Sequence, residues 1–248
     1  MQGERALYRD VRRRGFALPL TLDGPATFAR RTAFIDQEVA AALGRGIDQV
    51  VLVGAGYDGR SLRFAGTTRW FEVDHPATVD DKQRRLALLG FPPSPETASL
   101  VRVDLVTGGS GAIAGLGDAL QAAGHRAEKP SLFVCEGLFP HLALDTVASL
   151  CEALRTRAPD GSVLASTFLV MPDPGAGGVS ASAATALRAS ADLLLKAGGQ
   201  PRQSDLQSGD PEKLMRVTGW HVTRVQPTGR GRLYRGAHLL ALSATPAL

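Results

Sequence analysis

From Gln49 onward, short apolar and β-branched runs alternate with longer stretches in which apolar positions recur every three or four residues. The short runs predict strands at Val50–Val53, Arg69–Val73, Leu100–Asp104, Ser131–Cys135, Ser162–Leu169, His221–Val225 and Ala237–Ser243. The longer stretches predict helices over Ala77–Leu89, Ala112–Ala123, Leu144–Arg157 and Ser180–Ala197. Asp210-Pro211-Glu212 reads as an N-cap with proline at the first helical position, opening a short helix to Val217. Strands alternating with helices imply an α/β fold, a mostly parallel sheet with helices on both faces. The last two strands are joined by PTGRGRLYRG, too short for a crossover helix, so the final strand is expected to run antiparallel. The expected architecture is therefore a seven-stranded, Rossmann-like sheet. Residues 1–48 precede it and read as mostly helical, while 170–209 are loop-rich, with MPDPGAGG and GGQPRQSDLQSGD. A single domain over 1–248 is expected, with 1–48 and 170–219 as lid segments over the carboxyl ends of the strands.

Composition narrows the class without naming the chemistry. Of 248 residues, 44% are apolar and 21% charged, so a packed core is expected rather than disorder. The net charge of +4 is mild, and much of it lies in Arg9, Arg12, Arg13 and Arg14, read as a solvated helix face. No nucleic-acid partner is expected. Cys135 and Cys151 lie in apolar segments without metal or redox spacing, which predicts buried free thiols. The first residues lack a signal-type apolar run and no stretch is long enough to span a membrane, so a cytoplasmic, membrane-free location is expected.

The chemistry is concentrated in QVVLVGAGYDGRSLRF, residues 49–64. Gly54, Gly56 and Gly59 have the GxGxxG spacing at a strand-to-helix turn, where backbone can approach a ligand closely. Gly54, Ala55, Gly56 and Asp58 are candidate cofactor contacts. Glu72 and Asp74, in FEVDHP, follow Gly54 by 18 and 20 residues, the place of an acid that takes ribose hydroxyls. A nicotinamide dinucleotide and S-adenosylmethionine both carry a ribose, so these residues alone fit either. A short-chain dehydrogenase needs Tyr with Lys four residues on, whereas Tyr8, Tyr57 and Tyr234 are followed there by Arg12, Ser61 and His238. Asp104 ends the third strand, placed to accept from an exocyclic amine such as adenine N6. Glu136 follows the fourth, placed to accept from an ammonium group. Asp74, Asp104 and Glu136 are thus expected to line one crevice.

With QVVLVGAGYDGRSLRF, FEVDHPATVDDK, RVDL and CEGLFPHL in this order, and ARRT ahead of them, the chain resembles the leucine carboxyl methyltransferase family. Its bacterial branch is associated with O-methylation in polyketide biosynthesis. The resemblance runs from about Phe28 to Leu150. It implies a methyltransferase sheet and S-adenosylmethionine contacts at Gly54, Asp74, Asp104, Leu105 and Glu136. It also implies an arginine on the cofactor carboxylate, either Arg30 or Arg31. No cluster of Asp, Asn and His at ligand spacing appears, so no metal is expected. Only 53 residues precede the glycine loop and no second domain follows, so a small-molecule acceptor is expected, not a peptide terminus or tRNA. A carboxylate acceptor needs no base. For a hydroxyl acceptor His141, after EGLFP, is the candidate general base, because an imidazole titrates near neutrality. The alternatives are an NAD(P)-dependent oxidoreductase built on the same loop and a non-catalytic S-adenosylmethionine-binding protein.

Overall fold

The computed structural model describes residues 5–7, 9–10, 25–64, 66–91, 97–107, 109–170, 206, 209–230 and 238–247. Seven strands form one sheet: β1 Gln49–Val53, β2 Arg69–Asp74, β3 Ser99–Arg102, β4 Leu132–Cys135, β5 Val163–Val170, β6 Trp220–Arg230 and β7 His238–Pro246. Their order is β3-β2-β1-β4-β5-β7-β6. Strands β1 to β5 pair in parallel, while β7 runs antiparallel to both β5 and β6. The expected reversal of the final strand is therefore present.

The central strand shows why the sheet needs cover on both sides. All five residues of β1 are buried, and the period of two divides them between two cores. Val51 and Val53 pack with Phe71, Phe133, Leu150 and Leu154 on one face. Val50 and Leu52 pack with Phe34, Ile35 and Val39 on the other. The second face is covered by α1, Pro25–Gly44. The first is covered by α4 Gly109–Ala114, α5 Leu116–Ala122, α6 Leu144–Arg155 and α7 Asp210–Val217. Two further helices, α2 Arg60–Arg63 and α3 Pro76–Leu88, follow β1 and β2. Both cysteines are buried and free, and burial pushes both thiols up from the ordinary range.

Several boundaries differ from expectation. β3 ends at Arg102, so Asp104 lies beyond the strand. The helix expected over Ala112–Ala123 is two, divided at Gly115. Asp210 is the first residue of α7, and the cap is Gly209 at φ 83°. β6 continues through Pro227 to Arg230, where a turn is expected. It is the outermost strand, where proline is tolerated, and register shifts at Val222/Arg224 and Pro227/Gly229 absorb the irregular residues. The Ser180–Ala197 helix and most of the 170–219 lid fall outside the described residues. Among the described residues no helix is long and apolar enough to cross a membrane.

Candidate active site

The strand order reverses between β1 and β4, and the carboxyl ends of these parallel neighbours open a crevice, the usual ligand position in open α/β sheets. The chain leaves β1 through Gly54 at φ 69° and Gly56 at φ 47°, conformations that side chains on Cβ disfavour. The N–H groups of Gly54 and Ala55 donate to the Val73 carbonyl at 2.9 and 3.1 Å, which holds the loop over β2. A Cβ at Gly54 would lie 2.9 Å from Leu138 Cδ1.

Two cavities meet over Gly54 and Tyr57. The first, of about 380 Å³, is lined by Arg31, Ala55, Asp58, Arg60, Val134 and Glu136. The second, of about 340 Å³, is lined by Asp74, His75, Val103, Leu105, Leu138 and His141. In the second, Asp74 Oδ2 accepts from Gly56 N at 2.6 Å and Oδ1 accepts from His75 N at 2.7 Å. A carboxylate has about four lone-pair sites, so each oxygen keeps capacity for a ligand hydroxyl. His141 sits in the 3₁₀ turn Phe139–His141 on the same side, its N–H donating to the Leu138 carbonyl at 3.0 Å.

The first cavity is built on ion pairs. Glu136 Oε1 accepts from Arg31 Nε at 2.7 Å and from Thr32 Oγ1 at 3.2 Å, both on α1. Its Oε2 lies 2.7 Å from Arg60 Nη1. Burial works against the charged form of Glu136, but Arg60 and then Arg31 outweigh it and hold the carboxyl below the usual carboxylate range. Gly137, at φ 71°, leaves room for Arg31: a Cβ there would sit 3.3 Å from its Nη1.

Not every candidate lies where expected. Arg31 lines the crevice, whereas Arg30 donates from Nε to the Thr228 carbonyl in β6 at 2.6 Å. Glu72 lies away from both cavities. It is buried, with Ser61 Oγ donating to Oε1 at 2.7 Å and Lys82 Nζ 2.6 Å from Oε2. It therefore braces α2 and α3 against β2. Asp104 closes its own turn, accepting from Val106 N at 3.0 Å, Thr107 N at 2.9 Å and Thr107 Oγ1, with the Thr107 hydroxyl the main cause of its lowered pKa. Its neighbours Val103 and Leu105 line the cavity instead. Asp58 lines the first cavity but is engaged by Arg60, through its N–H at 2.8 Å and its guanidinium.

Arg60 and Tyr57 are the residues the motif reading passed over. Tyr57 donates to Asp81 Oδ2 at 2.5 Å, and burial, then Asp81, raise its pKa. Asp58-x-Arg60, an acid two residues before a basic helix start, is the readable signal for the first of them.

Comparison with known proteins bears on the family and the fold. A 145-residue segment is 37% identical to a provisionally named S-adenosyl-L-methionine-dependent methyltransferase of Mycolicibacterium paratuberculosis (strain ATCC BAA-968 / K-10), covering 57% of this chain and 44% of that protein. A relative with the same provisional name in Mycobacterium sp. (strain MCS) is 35% identical over 148 residues, 58% of this chain and 57% of that one. The chain thus spans about half the length of these relatives. Among solved structures, a duf574 family protein of Streptomyces avermitilis shares the fold at a TM-score of 0.62 and 17% identity, over 99% of this chain and 89% of that one. Magnesium protoporphyrin IX methyltransferase of Synechocystis shares it at 0.53 and 16% identity, over 90% and 85%. The sequence model of the leucine carboxyl methyltransferases matches residues 20–155, more than half of the chain, and the chain belongs to that family.

Proposed function

We propose that this chain is an S-adenosylmethionine-dependent O-methyltransferase acting on the carboxylate or hydroxyl of a small molecule. What carries the reading is one crevice with a carboxylate at one end and an arginine–glutamate pair at the other, joined across Gly54. Asp74 fits the ribose hydroxyls, with Val103 and Leu105 as apolar walls for an adenine ring. Arg31 fits an α-carboxylate and Glu136 an ammonium group. A dinucleotide makes a poorer partner, because its pyrophosphate would meet Glu136, a buried carboxylate held ionised.

The bound donor supplies a methyl group on a sulfonium, already a good leaving group. The protein's part is then to hold the acceptor oxygen about 3 Å away and in line, which can contribute roughly 7–11 kcal/mol. An ionised carboxylate acceptor needs nothing more. For a hydroxyl acceptor, His141 on the Asp74 side of the crevice is the candidate to take the proton.

Calorimetric titration with S-adenosylmethionine, S-adenosylhomocysteine, NAD and NADP tests this. Binding of the first two only, weakened ~10- to 100-fold by Asp74→Ala and by Glu136→Ala, is the expected result. Binding of NAD or NADP instead would replace the reading with an oxidoreductase. Binding without methyl transfer to any carboxylate or phenolic acceptor would favour a non-catalytic binder.

A further inference from the structure

In the wall of the first cavity and behind it, three guanidiniums and three carboxylates form one contact chain. Arg60, with its side chain 4% exposed, joins three separate parts of the fold. Its Nε donates to Asp36 Oδ1 of α1 at 2.7 Å. Its Nη1 meets Asp58 Oδ2 of the glycine loop and, at 2.7 Å, Glu136 Oε2 beyond β4. Arg63 Nη2 shares Asp36 Oδ1 at 2.5 Å. Arg31 completes the chain on the other oxygen of Glu136. The two arginines that hold Glu136 are not equivalent. Both line the first cavity, but Arg60 is 4% exposed and fixed by carboxylates from three parts of the fold, whereas Arg31 is 21% exposed and reaches Glu136 through Nε.

We infer that Arg60 is a positioning residue for the amino-acid end of the cofactor: it keeps the Glu136 carboxylate in place when Arg31 turns away, so that the Arg31–Glu136 pair opens to take a zwitterionic α-amino-acid group. The inference rests on the methyltransferase reading. The exchange conserves charge pairing. The incoming carboxylate replaces Glu136 on Arg31, and the incoming ammonium replaces Arg31 on Glu136 Oε1. During the exchange the carboxylate, nine-tenths buried, keeps Arg60 as its one full counter-charge among the described residues. A buried carboxylate without that partner would take a proton or move toward water, and in either case it would no longer present an acceptor to the ammonium. The groups facing Glu136 are Arg31 and Thr32 from α1 and Arg60 from α2, with Asp36, Asp58 and Arg63 behind Arg60.

The test compares S-adenosylhomocysteine with 5′-methylthioadenosine, which keeps the adenosine and thioether but lacks the amino-acid group. Calorimetric Kd values are measured for the wild type, Arg60→Met and Arg60→Lys, each checked for a cooperative thermal transition. In Arg60→Met, S-adenosylhomocysteine should weaken ~10- to 100-fold while 5′-methylthioadenosine stays within about threefold. Its S-adenosylhomocysteine affinity should also fall as pH drops from about 7 to about 5, where the wild type stays flat. Arg60→Lys keeps a charge without the fork, so it should keep the flat profile and lose part of the affinity. If Arg60→Met does not fold, the ligand ratio in Arg60→Lys decides. Equal weakening of both ligands, or unchanged pH profiles, would reduce Arg60 to a structural brace and overturn the inference while leaving the methyltransferase reading intact. A wild type that binds neither ligand removes that reading and the inference with it.

Discussion

Two adjacent arginines on α1 have different jobs because a helix turns about 100° per residue. Arg30 shares its side with Phe34, one turn on, and that side faces β6: Arg30 donates to Thr228 and Arg224 stacks 4.6 Å from the Phe34 ring. Arg31 faces the crevice and Glu136. Arg31→Ala is therefore expected to weaken S-adenosylhomocysteine binding by ~10- to 100-fold, the worth of one charge-assisted contact, while Arg30→Ala stays within about threefold. Titration of the two variants side by side checks this, and the reverse ranking would place the cofactor's carboxylate elsewhere. Gly54 is constrained more tightly than its motif suggests. Alanine there faces both a positive φ and a Cβ 2.9 Å from Leu138, a side chain of the crevice wall. Gly54→Ala should cost about 1–3 kcal/mol in urea unfolding and disturb both cavities, since Gly54 lines each.

At the level of elements, the glycine loop is held from below by a buried ion pair. Glu72 of β2 takes Ser61 of α2 and Lys82 of α3, and Lys82 Nζ also donates to the Asp58 carbonyl at 2.6 Å. Removing one partner strands a buried charge, so Glu72→Ala should lose about 3–5 kcal/mol in urea unfolding. Replacing both, as Glu72→Leu with Lys82→Met, should recover most of that loss. A Glu72→Ala protein that melts normally but fails to bind S-adenosylhomocysteine would instead make Glu72 a ligand contact. This pair also marks where sequence reading stops. Asp74 ends its strand and lines the second cavity, the position that its place in FEVDHP suggests. Glu72 has the same side-chain type two residues earlier, but α3 folds back over it, and only the tertiary pairing with Lys82 removes it from the site. The antiparallel β7 was legible from the short connection after β6, but the strand order of the sheet was not. The extension of β6 was not, because Pro227 and Gly229 signal a turn unless the strand is known to be outermost. The choice between Arg30 and Arg31 needed the phase of α1 against β6, which no local motif carries.

Across the whole molecule, the candidate crevice and a buried histidine cluster lie at opposite ends of the sheet. At the amino-terminal end of β1 and β4, His125 is buried beside Gln49, Ser131 and Arg157. Arg157 Nε donates to Nδ1 at 3.2 Å, so Nδ1 is the acceptor and the proton belongs on Nε2, which donates to Ser131 Oγ at 3.0 Å. The Ser131 hydroxyl in turn donates to the Lys129 carbonyl at 3.2 Å and accepts from Gln49 Nε2 at 3.1 Å. The network is satisfied only with a neutral imidazole. Burial first, then the Arg157 charge, push His125 down to about 4. An unfolded histidine titrates near 6.5, so between these values the unfolded chain binds the extra proton and stability rises with pH. The stabilisation is fully present above about pH 6.5 and is lost as pH falls toward 4, on the order of 2–3 kcal/mol. Glutamine can keep both hydrogen bonds without titrating. Urea unfolding between pH 4.5 and 7 should therefore show a falling midpoint in the wild type and a flatter one in His125→Gln. Parallel curves would assign the acid sensitivity to the crevice carboxylates instead, and with it would tie the stability of the fold to the charge state of its own binding site.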